Sequence, residues 1–148
     1  MSALSAAKAI LEADATLLAT ATGGIFDYTE TGRQGLSRTI TPTAFDSNGI
    51  IKPCVLLKLR DAIPDGQLAD DASQYVSVRQ ILEAWFYADS SFAAIETMRD
   101  RVFTLLHGKQ LTGTFVVRWA GDVRGQRDIE LDAFLERSDY LVITKRSA

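Results

Sequence analysis

Between residues 75 and 87, hydrophobic and polar positions alternate. Val76, Val78, Leu82, Ala84 and Phe86 share one face, while Ser77, Arg79, Glu83 and Tyr87 fall largely on the other. A period of two over this length predicts a half-buried β-strand. Asp89, Ser90 and Ser91 follow, short oxygen-bearing side chains that can accept from the unpaired amides of a helix start. From there the period lengthens: Phe92, Ile95, Met98, Val102, Leu105 and Leu106 recur at helical spacing, with Glu96, Asp100 and Arg101 outside and Gly108 as the stop.

The same reading extends to the rest of the chain. Ser2 can cap a first helix whose apolar stripe is Leu4, Ala7, Ile10 and Leu11. Asp14 falls where the stripe should continue, so a break is expected there, with Leu17 and Leu18 on a second short turn. Gly23 and Gly24 end the helical region, and Ile25, Phe26 and Tyr28 predict a brief extended segment. Residues 29–48 are rich in Thr, Gly, Ser and Asp, the composition of a surface excursion, with one helical turn from Thr41-Pro42 to about Phe45. Pro53 opens a strand over 54–59 whose near-continuous apolar character predicts burial on both faces. Residues 61–74, with Pro64, Gly66 and four aspartates, read as a loop. Phe115, Val117 and Trp119 alternate along a strand over 114–119, residues 121–125 read as a turn, and 140–144 form the last extended run before Lys145 and Arg146.

This order predicts an α+β fold: an antiparallel or mixed sheet of about four strands with two main helices packed on one face. Regular strand-helix alternation, which a doubly wound parallel sheet needs, is absent. The 148 residues, 47% hydrophobic and 24% charged, suit one domain over 1–148. A net charge of −3 with acids and bases interspersed leaves no basic stripe for a nucleic-acid backbone or an anionic membrane. No apolar run approaches the ~20 residues of a spanning helix. Residues 2–21 lack the basic start and apolar centre of a secretory signal, so a cytoplasmic origin is expected. Cys54, the single cysteine, excludes an internal disulfide and reads as a small core residue.

Candidate chemistry is sparse, and neither catalysis nor a cofactor is expected. His107 is the only histidine and lies in a last helical turn, where it complements the helix dipole. Ser37 sits in Gly35-Leu36-Ser37-Arg38-Thr39, which lacks the second glycine of a nucleophile elbow. Asp128, Glu130 and Asp132 alternate with Ile129 and Leu131; three carboxylates on one strand face could gather a hard cation, but a solvated edge strand gives the same pattern. Asp70-Asp71 has no base nearby in sequence. Trp85 and Trp119 suit a core or a subunit interface better than a pocket, and Arg79 with Tyr87 on a polar strand face has the character of interface anchors.

Several segments together resemble the tail terminator, or tail completion, proteins of long-tailed phages. They are the helical opening over 3–21 closed by Gly23-Gly24-Ile25-Phe26-Asp27, the strand start Lys52-Pro53-Cys54-Val55, and the stretch 78–106 containing Glu83-Ala84-Trp85-Phe86-Tyr87 and ending in Leu105-Leu106-His107-Gly108. The resemblance implies a virion subunit, assembled in the host cytoplasm, that forms a homo-oligomeric ring, commonly a hexamer. Such a ring caps the tail tube protein and meets the head-side connector or neck protein. The excursion over 29–48 and the acidic segment over 128–136 go beyond what the simplest members need, so a neighbouring neck or head-completion protein is the alternative. A small divalent-ion-dependent enzyme using Asp70, Asp71 or the 128–132 acids is a further one. The candidate assembly interface is Arg79 and Tyr87 together with the acidic loop residues Asp61, Asp65, Asp70 and Asp71. That loop is expected to be mobile in the free subunit and to order against basic groups of a neighbouring ring.

Overall fold

Two short polar side chains set the N-terminal architecture. In the computed structural model, which describes residues 2–32, 35–67, 75–112, 114 and 116–147, Ser2 accepts from the Ser5 amide at 3.1 Å and opens helix α1 (Ala3–Glu12). Asp14 turns the break in the apolar stripe into a second start: its carboxylate accepts from the Leu17 amide at 2.7 Å and caps α2 (Ala15–Thr20). Strand β1 (Gly24–Asp27) follows, and Asp27 forms a capping box with Glu30 at the head of α3 (Tyr28–Thr31). A single 3₁₀ turn, Pro42–Ala44, begins at the expected proline. The chain then forms β2 (Cys54–Gln67), β3 (Tyr75–Ala88), α4 (Phe92–Leu106), β4 (Arg118–Asp128) and β5 (Ala133–Ser147). Ser91 caps α4 by accepting from the Ala93 amide.

The described residues form one five-stranded sheet in the order β1-β2-β3-β5-β4. β1 runs parallel to β2, and every other neighbouring pair is antiparallel. This corrects the expectation of about four strands with two main helices: the strands number five and the α-helices four among the described residues, and the sheet is mixed. The difference has a local cause. Two stretches read as loop or turn are strand, since 61–67 continues β2 and 121–125 lies inside β4, and β5 starts at Ala133, well ahead of the run expected over 140–144. In β2 and β4 the pairing register shifts twice each, between Arg60 and Ile63, Pro64 and Gly66, Trp119 and Gly121, and Val123 and Gln126. Each shift breaks the alternation by which a strand is recognised.

The sheet separates two cores. On its first face, α1, α2 and α4 bury Leu4, Leu11, Leu17, Ile95, Met98, Val102 and Leu106 against Val55, Leu57, Leu82, Phe86, Tyr140 and Val142. The second face is covered only at one end, where the excursion brings Leu36, Ala44, Phe45 and Ile51 onto Cys54, Leu56, Tyr87 and Leu135. β2 is therefore buried on both faces at Cys54–Leu57, as its apolar run predicts. The excursion, expected as a surface segment, supplies part of this second core, because Leu36, Ala44 and Phe45 are buried while Ile40 stays exposed.

Candidate assembly interface

The alternation of β3 places Arg79, Ile81, Glu83, Trp85 and Tyr87 on the second face. Register extends that face sideways: Trp85 lies between Leu56 and Arg137, Glu83 between Lys58 and Asp139, Ile81 between Arg60 and Leu141, and Arg79 between Ile63 and Ile143. β4 adds Arg118 opposite Leu141. The excursion covers the row of Tyr87. Beyond Trp85 the cover thins to Tyr28, Thr29 and Gly32, which border Lys58, Arg60 and Glu83 on the β2 side.

This open half is apolar in the middle and basic around it. Ile81, Leu141 and Ile143 are half-buried, and Ile63 and Val116 are exposed. Val116, Arg118, Leu141 and Ile143 line a shallow depression of about 400 Å³. Lys58, Arg60, Arg79, Arg118 and Arg137 surround these positions, and among the described side chains the acids of this face are Glu83 and Asp139. The buried Glu83 is held by Arg60 and Arg137, each at 3.5 Å. Trp85 carries Lys58 at 5.0 Å and Arg137 at 5.3 Å over its ring, within cation–π range. Its indole N–H has no hydrogen-bond partner among the described residues. A basic face is notable on a chain whose net charge is −3.

The expected interface residues divide. Arg79 is exposed on the open half. Tyr87 is not at the surface: it is 7% exposed beneath the excursion, and burial together with the nearby Asp128 and Cys54 pushes its phenol above the ordinary value. Cys54, in the same core, is pushed up by burial to about 12, which fits a small packing residue. Asp61 and Asp65 lie within β2 and not in a loop. Asp70 and Asp71 lie outside the described residues. Sequence reasoning passed over Lys58, Arg60, Arg118, Arg137, Leu141 and Ile143. The available signal was the unbroken apolar run over 140–143, which implies contact on both faces.

The other polar cluster is a closed ion network. Arg99 of α4 is buried beside Glu136 and Asp122, and Asp122 accepts from Ser138 at 2.7 Å, the Trp119 indole at 3.0 Å and Arg124 at 3.1 Å. Burial opposes the Asp122 charge, but these donors and Arg99 outweigh it and hold the carboxyl below its ordinary value. The network ties β4 and β5 to α4. His107 does the same at the helix end: its Nδ1 accepts from the Trp119 amide at 3.0 Å and its ring stacks on Phe103. The acids of 128–132 do not share a strand face, since they form the turn between β4 and β5; Asp128 accepts from the Leu131 amide and Asp132 pairs with Arg127. No group of three metal-ligating side chains occurs among the described residues, and no described helix is long and apolar enough to cross a membrane.

No protein-family model and no curated protein matches the chain. Among solved structures, it is similar to a chain of the virion of a native gene transfer agent (GTA) particle, with a TM-score of 0.60 and 16% identity over 97% of this chain and 92% of that one. At that identity the likeness is one of fold.

Proposed function

We propose that the chain is a structural subunit of a phage-like virion, and that it acts at the end of the tail tube as a homo-oligomeric ring facing the head-side connector. The observation that carries this reading is the fold likeness to a chain of a gene transfer agent virion, which spans nearly the whole of both chains. The open half-face supports it from a second direction. A basic, partly apolar sheet surface beside a fully closed core has the anatomy of an interface, with an Arg-rich rim and an aromatic at its margin. The placement at the tube end comes from the resemblance to tail terminator proteins and is the finer part of the proposal. In this reading the protein is a structural part and does no chemistry.

Mass photometry of the purified protein, alone and mixed with tail tubes, tests it. A closed oligomer that binds tube ends is expected, and a species that stays monomeric both alone and with tubes overturns the reading. Binding to isolated head-side connectors without binding to tubes would place the subunit in the neck instead. Calorimetry with Ca²⁺, Mg²⁺ and Mn²⁺ covers the enzymatic alternative, because a functional divalent site binds well below millimolar.

A further inference from the structure

The contact between neighbouring subunits can be narrowed by asking which surfaces resist pairing and which invite it. The free edge of β2 beyond Leu57 carries Pro64, which lacks an amide proton, and two register shifts. The outer edge of β4 carries two more. Bulges and proline are how sheets block the addition of a further strand, so continuous edge-to-edge pairing is disfavoured along β4 and along β2 beyond Leu57. The open half-face has no such protection.

One surface feature complements that face. The turn between β4 and β5 presents Ile129, 87% exposed, the most exposed of the large hydrophobic residues among those described. Glu130 is exposed beside it, while Asp128 caps the Leu131 amide and Asp132 pairs with Arg127. The turn is preorganised: Asp128 accepts from the Leu131 amide at 3.0 Å, Leu131 packs against the second core, and Asp132 adopts φ 50°, a left-handed conformation that aspartate tolerates. The result is an apolar knob flanked by the exposed carboxylate of Glu130. The depression at Val116, Arg118, Leu141 and Ile143 is an apolar hollow in a basic rim.

We infer that the 128–132 turn of one subunit seats Ile129 in the Val116–Leu141–Ile143 depression of the next copy, with Glu130 facing Arg118 on the basic rim. This rests on the proposed self-assembly and names its contact. A subunit cannot fill its own depression. Ala133 and Leu141 lie on the same strand, eight residues apart at ~3.3 Å each, so the knob at the start of β5 and the hollow at its middle are roughly 26 Å apart. The contact is therefore head-to-tail between different patches, the kind that closes into a ring when its rotation permits. The pairing of opposite charge also fixes which end meets which.

A mixing experiment with the full chain tests this. Ile129→Lys puts a cation on the knob, and Val116→Lys puts one in the hollow, so that in a mixture the altered knob and the altered hollow repel each other. Both sites are exposed, so both variants should melt like the wild type. Each alone should assemble only at concentrations raised about 30-fold, the consequence of losing an interface anchor. Mixed, they retain one intact knob and one intact hollow, and should give a 1:1 dimer that grows no further. If the wild type forms oligomers and Ile129→Lys forms them at the same concentration, this contact is wrong while self-assembly stands. If both variants fail to assemble but their mixture gives no dimer, the contact is not head-to-tail and the inference falls. A wild type that stays monomeric under all conditions removes both the contact and the self-assembly it rests on.

Discussion

On β3, adjacent residues look into different surroundings. Leu82, Ala84 and Phe86 are closed off by three helices, whereas Glu83, Trp85 and Ile81, one position away, lie on a face that is covered at one end only. The first face is defined by packing. The second is defined by ion pairs and cation–π contacts that tolerate water, and its uncovered half combines isoleucine, leucine and arginine. The contrast teaches that the same strands separate two tasks: one side fixes the subunit, and the other is left available for a partner at little risk to the fold.

The largest effect expected from breaking this division is on the closed face. Met98 of α4 is fully buried within the first core. Met98→Asp places an unpaired carboxylate there at a cost of several kcal/mol, against a total stability of ~5–15 kcal/mol. The variant should be insoluble or melt without cooperativity. A soluble protein with a sharp thermal transition would show that α4 does not present this face to the sheet.

Tyr87 tests the covered end of the second face. It packs with Phe45, Leu56 and Leu135 under the excursion, so Tyr87→Ala should lower stability by about 3 kcal/mol in denaturant titration. A loss within ~0.5 kcal/mol would mean that the excursion lifts off the sheet and that Tyr87 is available at the surface after all.

These two residues also mark how far the fold was legible. The capping residues Ser2 and Ser91, the break at Asp14, the helix carrying Met98 and the central strand all follow from periodicity, because each obeys one local rule. The longer course of β5 did not. Glu136, Arg137, Ser138 and Asp139 look like a solvated stretch, and only their partners explain them: Glu136 meets Arg99 from a helix 37 residues earlier, and Asp139 meets Arg137 on its own strand. Likewise Tyr87 appears polar-facing in the pattern, since its cover comes from the excursion, a long-range contact that no short window contains. The open face was half legible for the same reason. Arg79 follows from alternation, while Arg118 and Leu141 join it only through the pairing of β4 with β5.

An acid titration probes the support beneath the closed face. Asp14 accepts from the Leu17 amide and from Nε and Nη2 of Arg101, at 2.9 and 2.7 Å. The Arg101 hydrogen bonds, with the amide and the guanidinium charge, outweigh desolvation and lower its carboxyl to about 2 from an ordinary 3.8. Because the folded value is depressed, this contribution is complete above about pH 4 and disappears as the pH falls towards 2. Asp14→Asn keeps a capping oxygen but loses the charge. Its melting temperature should therefore lie below the wild type's at neutral pH and converge with it near pH 2. Parallel curves across that window would mean that Arg101 does not stabilise the ionised form.

The smallest effect on stability is expected on the open half-face. Arg79 is exposed there, in the row of Ile63 and Ile143, and Arg79→Glu reverses a charge on the basic rim without touching either core. Substitutions at exposed positions usually change stability by no more than ~0.5 kcal/mol, so the melting curve should nearly overlay the wild type's. Assembly should respond where melting does not. A basic rim accelerates the approach of an acidic surface, and its reversal slows association most at low salt, where screening is weakest. Stopped-flow light scattering at low and high ionic strength reads this directly, with Glu96→Ala, on the solvent side of α4, as the control that should leave both stability and assembly unchanged. If Arg79→Glu associates at the wild-type rate at every salt concentration, the basic rim takes no part in subunit joining, and the open half-face is simply a solvated sheet surface.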